Sequence, residues 1–150
     1  MSDDFKLPED KAERMERCSL FYTDIVPHNH ALGLKLLDIG PAEAVVELPY
    51  ADFLVGNPET GVIAGGAVTT LIDAACGSAV ILRFGRFLPL VTLDLRIDYL
   101  RPARPGTSLT AVAECYRATR QVAFVRALVH QGDKSNPVAS AQGTFMRLEE

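Results

Sequence analysis

Apolar and polar positions change period along this chain, and the changes mark its elements. Over residues 8–22 the pattern is helical: Ala12, Met15, Leu20 and Phe21 fall near one face, Pro8 suits a first turn, and Glu9 and Asp10 follow it. Pro27 should end that helix, with the polar His28-Asn29-His30 leading into the next element. Residues 32–39 and 44–48 are short apolar segments parted by Gly40-Pro41, which predicts two antiparallel strands. Residues 52–61, rich in Gly, Asn and Pro, read as a loop. After Gly65-Gly66 comes AVTTLIDAACGSAVILRF, free of proline and apolar on most sides, the pattern of a buried helix. Its small residues, such as Ala74, Gly77 and Ser78, would let neighbouring backbone approach closely.

Beyond Gly85 the period becomes that of a strand. Val91, Leu93, Leu95, Ile97 and Tyr99 alternate with Thr92, Asp94, Arg96 and Asp98, as in a half-buried strand. On that parity Thr92 shares the solvent face with the charged residues. Three more strands are expected over 107–116, 122–130 and 138–148, with turns at 117–121 and 132–137. Consecutive strands on short turns favour an antiparallel sheet. A helix apolar all round needs cover on more than one side, and a strongly curled sheet would provide it. The pattern by itself predicts an α+β protein.

Composition narrows the classes. A chain of 150 residues suits one domain, 1–150, with a lead-in over 1–30 and the core over 31–148. A net charge of -4 argues against nucleic acid as a partner, since phosphate binding needs a basic surface. No apolar run reaches the roughly 20 residues of a spanning helix, so no membrane is expected. The charged, acidic N-terminus is unlike a signal peptide. Cys18, Cys76 and Cys115 are far apart and lack metal-ligand spacing, which suits reduced thiols in the cytoplasm.

Candidate chemistry concentrates in one stretch, Gly56-Asn57-Pro58-Glu59-Thr60-Gly61-Val62-Ile63-Ala64-Gly65-Gly66, followed by Thr69-Thr70-Leu71-Ile72-Asp73. Backbone N–H groups at a helix start lack intrahelical partners and carry positive partial charge. Glycines at 65 and 66 would let a carbonyl oxygen approach that backbone. Asp73 is a charge in an otherwise apolar helix, costly unless something justifies it. It lies about 12 Å from Gly65 at 1.5 Å per residue. The alternative is a structural carboxylate, bonded to Thr69 one turn back.

These residues resemble the hotdog-fold acyl-CoA thioesterases of the phenylacetic-acid-pathway type. Their signature is an Asn-containing loop, a His-Gly-Gly at the helix start and an Asp inside the helix. The resemblance continues through Thr92–Ala103 and Ala141–Phe145, covering about residues 31–147. It implies a curled antiparallel sheet wrapped around one long central helix. It also implies an enzyme that hydrolyses acyl-coenzyme A, or an acyl-carrier-protein thioester, without metal or other cofactor. The Gly65 N–H would polarise the thioester carbonyl, and Asp73 would be general base or nucleophile. The separation of the two suggests a site built across a symmetric dimer. The expected assembly is a homodimer or, as a dimer of dimers, a homotetramer, and the long strand over 90–100 suggests pairing at its edge.

In the same resemblance Asn57 positions substrate or water, with a turn residue as the alternative. Thr92 stands near the catalytic carboxylate, with a solvent-face threonine as the alternative. Gly66, Ala64 and Thr69 fall at the substrate. Coenzyme A carries phosphates, so Arg83, Arg101 and Arg120, with Arg86 and Arg104, are candidates for a binding rim. Phe53, Leu54, Phe84 and Phe87 are candidates for an acyl tunnel.

One position departs from the family: the His of His-Gly-Gly is Ala64. His28 and His30 are less favoured substitutes, and exposed loop residues are the simpler reading of both. The alternatives in function are a non-catalytic acyl-CoA-binding protein and a structural oligomer. A hydratase on this scaffold would need an Asp and a His five apart, and Ser78 and Asn57 stand where those histidines would follow Asp73 and Asp52.

Overall fold

A computed structural model of the chain describes residues 5–148, so the ends of the expected single-domain span lie outside the described residues. Helix α1, Lys11–Leu20, begins later than its sequence pattern suggests. Asp10 caps it by accepting from the Glu13 N–H at 2.9 Å, which leaves Pro8 and Glu9 outside. A π-helical turn, Phe21–Ile25, follows. Pro27 does not end a helix but starts one: α2 runs Pro27–Leu32, because a first-turn proline forfeits no hydrogen bond.

The strands are β1 (Lys35–Ile39), β2 (Glu43–Leu48), the short β3 (Val55–Asn57) and β4 (Val62–Ile63), β5 (Leu90–Tyr99), β6 (Leu109–Ala118), β7 (Val122–His130) and β8 (Ala139–Arg147). Between β4 and β5 stands α3, Gly65–Phe84, closed by Gly85 in the left-handed conformation. Six strands form one antiparallel sheet in the order β1-β2-β6-β7-β8-β5. Ala44, Ala113, Ala127 and Ala141 are in register across four neighbouring strands, giving a row of small side chains on the buried face.

The expectation of a curled sheet wrapped around the helix is not met. The sheet is open, with β1 and β5 as its edges, and α3 lies on one face, chiefly against β6 and β2. Leu71, Ile72, Ala75, Cys76, Ala79 and Val80 are fully buried, whereas Thr69 is exposed and Asp73, Ala74, Gly77 and Ser78 are half-buried. Small residues on that second side make the helix look apolar all round, although they bury little area and need little cover. By length and composition Gly65–Phe84 also reaches membrane-spanning size, contrary to the reading that no run does. Half of its most apolar window is buried inside the protein.

The segment expected as a plain loop is a 3-10 turn, Asp52–Leu54, and the β3–β4 hairpin. The hairpin pins the start of α3. The Ala64 N–H donates to the Leu54 carbonyl at 2.8 Å, and a side chain at Gly56 would meet the Ala64 Cα at 2.8 Å.

Candidate active site

Ala64 precedes α3 in an extended conformation and has no side chain able to cap it. Gly65 and Gly66 therefore present uncapped N–H groups at an exposed helix start. The Tyr99 hydroxyl donates to the Gly65 carbonyl at 3.0 Å, and the Thr69 hydroxyl donates to the same oxygen at 3.0 Å. These two bonds fix the first turn from β5 and from within the helix. Gly65 lines a cavity of about 550 Å³ with Tyr99, Arg101 and Pro102.

Asp73 faces a second cavity, of about 650 Å³, between α3, the N-terminal segment and the β5–β8 side of the sheet. The Thr92 hydroxyl donates to its carboxylate at 2.8 Å. Thr69, the structural partner considered for Asp73, bonds Gly65 instead. Thr92 reaches Asp73 because β5 carries a bulge. Thr92 pairs with Phe145 and Asp94 with Thr144, so Leu93 is an extra residue between them. The bulge puts Thr92 on the face of Leu95, and both line the Asp73 cavity. Thr92 is exposed, as its solvent-face reading has it, yet the bulge brings its hydroxyl to Asp73, and Leu93 is 53% exposed where plain alternation would cover it.

The other candidates are dispersed. Asn57 is a turn residue: its side-chain oxygen accepts from the Glu59 N–H at 3.0 Å and its carbonyl from the Gly61 N–H at 2.8 Å. The Arg101 guanidinium donates to the backbone carbonyls of Asn136 and Pro102. Arg83 is exposed in the last turn of α3 and Arg120 in the β6–β7 turn, and neither lines the two cavities. Arg104 bonds Gln131. Phe53 is 70% exposed, Phe84 lies under Arg147, and Phe87 stacks against Phe21. None of these, nor Leu54, lines the Asp73 cavity, whose apolar wall comes instead from Phe21, Val26, Ile81, Leu90, Leu95 and Phe145.

Sequence reasoning missed Tyr22 and Tyr99. Tyr22 is 2% exposed; its hydroxyl donates to the Ala74 carbonyl at 3.2 Å and is 2.6 Å from the Ser78 hydroxyl. Burial pushes its phenol above the usual range. A lone tyrosine at the end of an amphipathic helix carries no signal that it will reach a helix fifty positions away. His28 lines the Asp73 cavity, with Nε2 3.4 Å from the Thr70 hydroxyl, while His30 is exposed and lines neither cavity. The described residues contain no cluster of His, Cys, Asp and Glu able to hold a metal ion.

A helix start with free donors, and a carboxylate two turns on beside an apolar cavity, is an arrangement suited to acyl transfer. Comparison with known proteins agrees. The profile of the thioesterase superfamily matches residues 60–138. YigI of Salmonella typhimurium, a medium/long-chain acyl-CoA thioesterase, is 33% identical over 81% of this chain and 85% of its own length. A crystal structure of a Pseudomonas aeruginosa protein superposes with a TM-score of 0.80 at 40% identity, covering 89% of this chain and 98% of that one. A mutant of the phenylacetic acid degradation protein PaaI from Thermus thermophilus gives a TM-score of 0.71 at 34% identity, covering 81% of this chain and 99% of that one. The chain belongs to the thioesterase superfamily, in its hotdog, PaaI-like branch, and is a thioester hydrolase.

Proposed function

We propose that the protein hydrolyses acyl-coenzyme A to the free acid and coenzyme A in the cytoplasm, with Asp73 at the reacting carbon. The observation that carries this reading is the Asp73 carboxylate, held by Thr92 at 2.8 Å and open to an apolar cavity of about 650 Å³. That volume lies within the roughly 300–1,000 Å³ of small-molecule sites. Asp73 takes the proton of an attacking water, or attacks the carbonyl carbon itself. The carbonyl oxygen then gathers negative charge, which the Gly65 N–H stabilises, a contribution worth about 10²–10³ in rate. The carbon–sulfur bond breaks and coenzyme A leaves as a thiolate. On the first route it takes up the proton held by Asp73; on the second, water then cleaves the acyl–Asp73 anhydride, freeing the acid and supplying that proton. No metal is needed at any step.

Gly65 and Asp73 open into different cavities, about 12 Å apart along the helix at 1.5 Å per residue. This supports a site shared between two copies, Gly65 of one beside Asp73 of the other. The ten-residue edge strand β5, with Leu93 and Tyr99 uncovered and the exposed Leu100 just beyond its end, supports pairing there. The homodimer is the smallest unit that completes a site, and a homotetramer would be two such pairs. Gly66 and Thr69 form the turn against which the thioester lies, and Ala64 leaves open the space that a family histidine would fill. Arg101, beside Gly65, is the arginine best disposed toward the phosphates of coenzyme A; Arg83 and Arg120 belong to the rim only through the second copy. Three free cysteines, all buried, suit a reducing compartment.

The test is thiol release from short, medium, long and aromatic acyl-CoAs by wild type and Asp73→Asn. Turnover by wild type, with a loss of about 10²-fold or more in the folded variant, is the expected result for a removed base. Binding of acyl-CoA without thiol release by wild type would make the protein a non-catalytic binder.

A further inference from the structure

The cavity at Asp73 has an outer wall that the central helix and the sheet do not supply. Phe21, Tyr22 and Val26 of the π-helical turn and its exit line it opposite Phe145 and Leu95. This N-terminal wall is tied down on both sides. The Leu7 N–H donates to the Gly85 carbonyl at 2.9 Å and the Phe87 N–H to the Phe5 carbonyl at 2.7 Å, so the segment clips onto the connection between α3 and β5. Tyr22 then reaches α3 itself, through Ala74 and Ser78.

The cavity continues along α3 away from Gly65, past Gly77 and Ser78 to Ile81. Ile81 lies two turns beyond Asp73, about 12 Å at 1.5 Å per residue. An extended chain advances at most about 3.6 Å over three backbone bonds, so about ten carbons span that distance. The Tyr22 and Ser78 hydroxyls satisfy one another and the Ala74 carbonyl, so this wall holds no donor in want of a substrate acceptor. A wall of that kind suits a plain hydrocarbon tail, since an added polar group would be buried without a partner. Gly77 leaves the passage open: a side chain there would meet nothing nearer than the Phe145 ring edge at 3.8 Å.

We propose that this cavity is the acyl subsite, that the N-terminal turn is its outer wall, and that Gly77 with the Tyr22–Ser78 pair sets an optimum near medium-length, unsubstituted chains. The proposal rests on the thioesterase reading and adds to it the residues that choose the chain.

The experiment compares kcat/KM for a series of straight-chain acyl-CoAs, from butyryl to palmitoyl, in wild type and Gly77→Leu. Wild type should peak near about ten carbons, the span derived from the helix rise. Gly77→Leu should move the optimum to shorter chains and cut the decanoyl-to-hexanoyl ratio at least tenfold, since each buried methylene is worth about fourfold. Gly77→Ala, a single methyl against the Phe145 ring, covers failure of the leucine variant to fold and should shift the ratio less in the same direction. Val26→Ala should move it the opposite way by widening the outer wall. Unchanged chain-length profiles in folded variants would overturn the subsite while leaving the thioesterase intact. Should wild type release no thiol at all, hydrolysis is refuted on its own. Calorimetric binding of a decanoyl-CoA thioether then tests the subsite, and equal affinity in wild type and Gly77→Leu would overturn it.

Discussion

Thr92 donates to the Asp73 carboxylate over 2.8 Å from a strand whose plain alternation would have turned it to solvent. The bulge at Leu93 makes the contact, and it ties a sheet edge to the face of α3 that carries Asp73. A hydrogen bond to a charged group is worth about 1.5–3 kcal/mol, roughly 10–100-fold in rate if it is realised in the transition state. Thr92→Val should lower kcat by about that factor with KM little changed, and Thr92→Ser, which keeps the donor, should recover most of it. Equal kinetics for valine and serine variants would show that the hydroxyl only packs there.

The bulge has a partner in Gly143. A side chain at 143 would place its Cβ 2.7 Å from the Asp94 carbonyl and 3.0 Å from Leu95. The carbonyl belongs to the bulged backbone and has little freedom to retreat. Gly143→Ala should therefore destabilise the fold by about 1–3 kcal/mol, the usual range for overpacking, and disturb the Thr92–Asp73 bond as well. A lower urea midpoint with unchanged slope, together with reduced kcat, is the expected outcome. Unaltered stability would mean that the bulge absorbs a methyl group.

Most elements could be read from the sequence because hydrophobic period dictates them. Both long features of the candidate site, Gly65 at a helix start and Asp73 within that helix, followed from residue type and position. The failures share a cause: each depended on something that hydrophobic period does not report, either a contact between segments or the size of a side chain. Thr92 changes face through a bulge that only its pairing with β8 creates. Pro27 begins a helix, which its first-turn position permits, and Asn29 in that helix donates to the Phe21 carbonyl of the preceding turn at 3.2 Å. Residue type alone points to Phe53, Leu54, Phe84 and Phe87 for an acyl tunnel, and none of them lines the Asp73 cavity. The cavity is lined instead by whatever the N-terminal turn and two strands bring to α3. The curled sheet follows only if alanines, glycine and serine count as apolar, but such residues need no second layer over them.

The buried thiols should make the protein less stable in alkali. Burial pushes Cys76 from 9.0 up to about 12, with the charge of Asp73 adding to the rise, and burial also raises Cys18 and Cys115. In the unfolded chain these thiols ionise near their ordinary value, so above it the unfolded state binds fewer protons than the folded one. Stability from this source is complete below pH 9 and declines as pH rises from 9 toward 12. Urea midpoints measured from neutral pH upward should hold steady and then fall, with a smaller fall in Cys76→Ala. At neutral pH the same burial should make all three cysteines slow toward iodoacetamide until denaturant is added.

Sharing of the site between two copies can be tested without a further structure. Ala64 is extended, with φ -60° and ψ 137°, a conformation that tolerates a following proline, and Gly65 is the first residue of α3. Gly65→Pro thus removes the N–H donor while keeping a residue that helix starts favour. Its activity should fall by about 10²–10³, the cost of one oxyanion donor. Asp73→Asn should be comparably inactive. If each site takes Gly65 from one chain and Asp73 from the other, a mixed dimer of the two variants contains one intact site and one doubly damaged site. Random reassembly of equal amounts gives half mixed dimers, hence about a quarter of wild-type activity from two inactive proteins. Unfolding and refolding the variants together, then separately, makes the comparison. Recovery only on joint refolding supports the shared site, whereas no recovery from well-folded mixtures would show that no site draws Gly65 from one chain and Asp73 from the other.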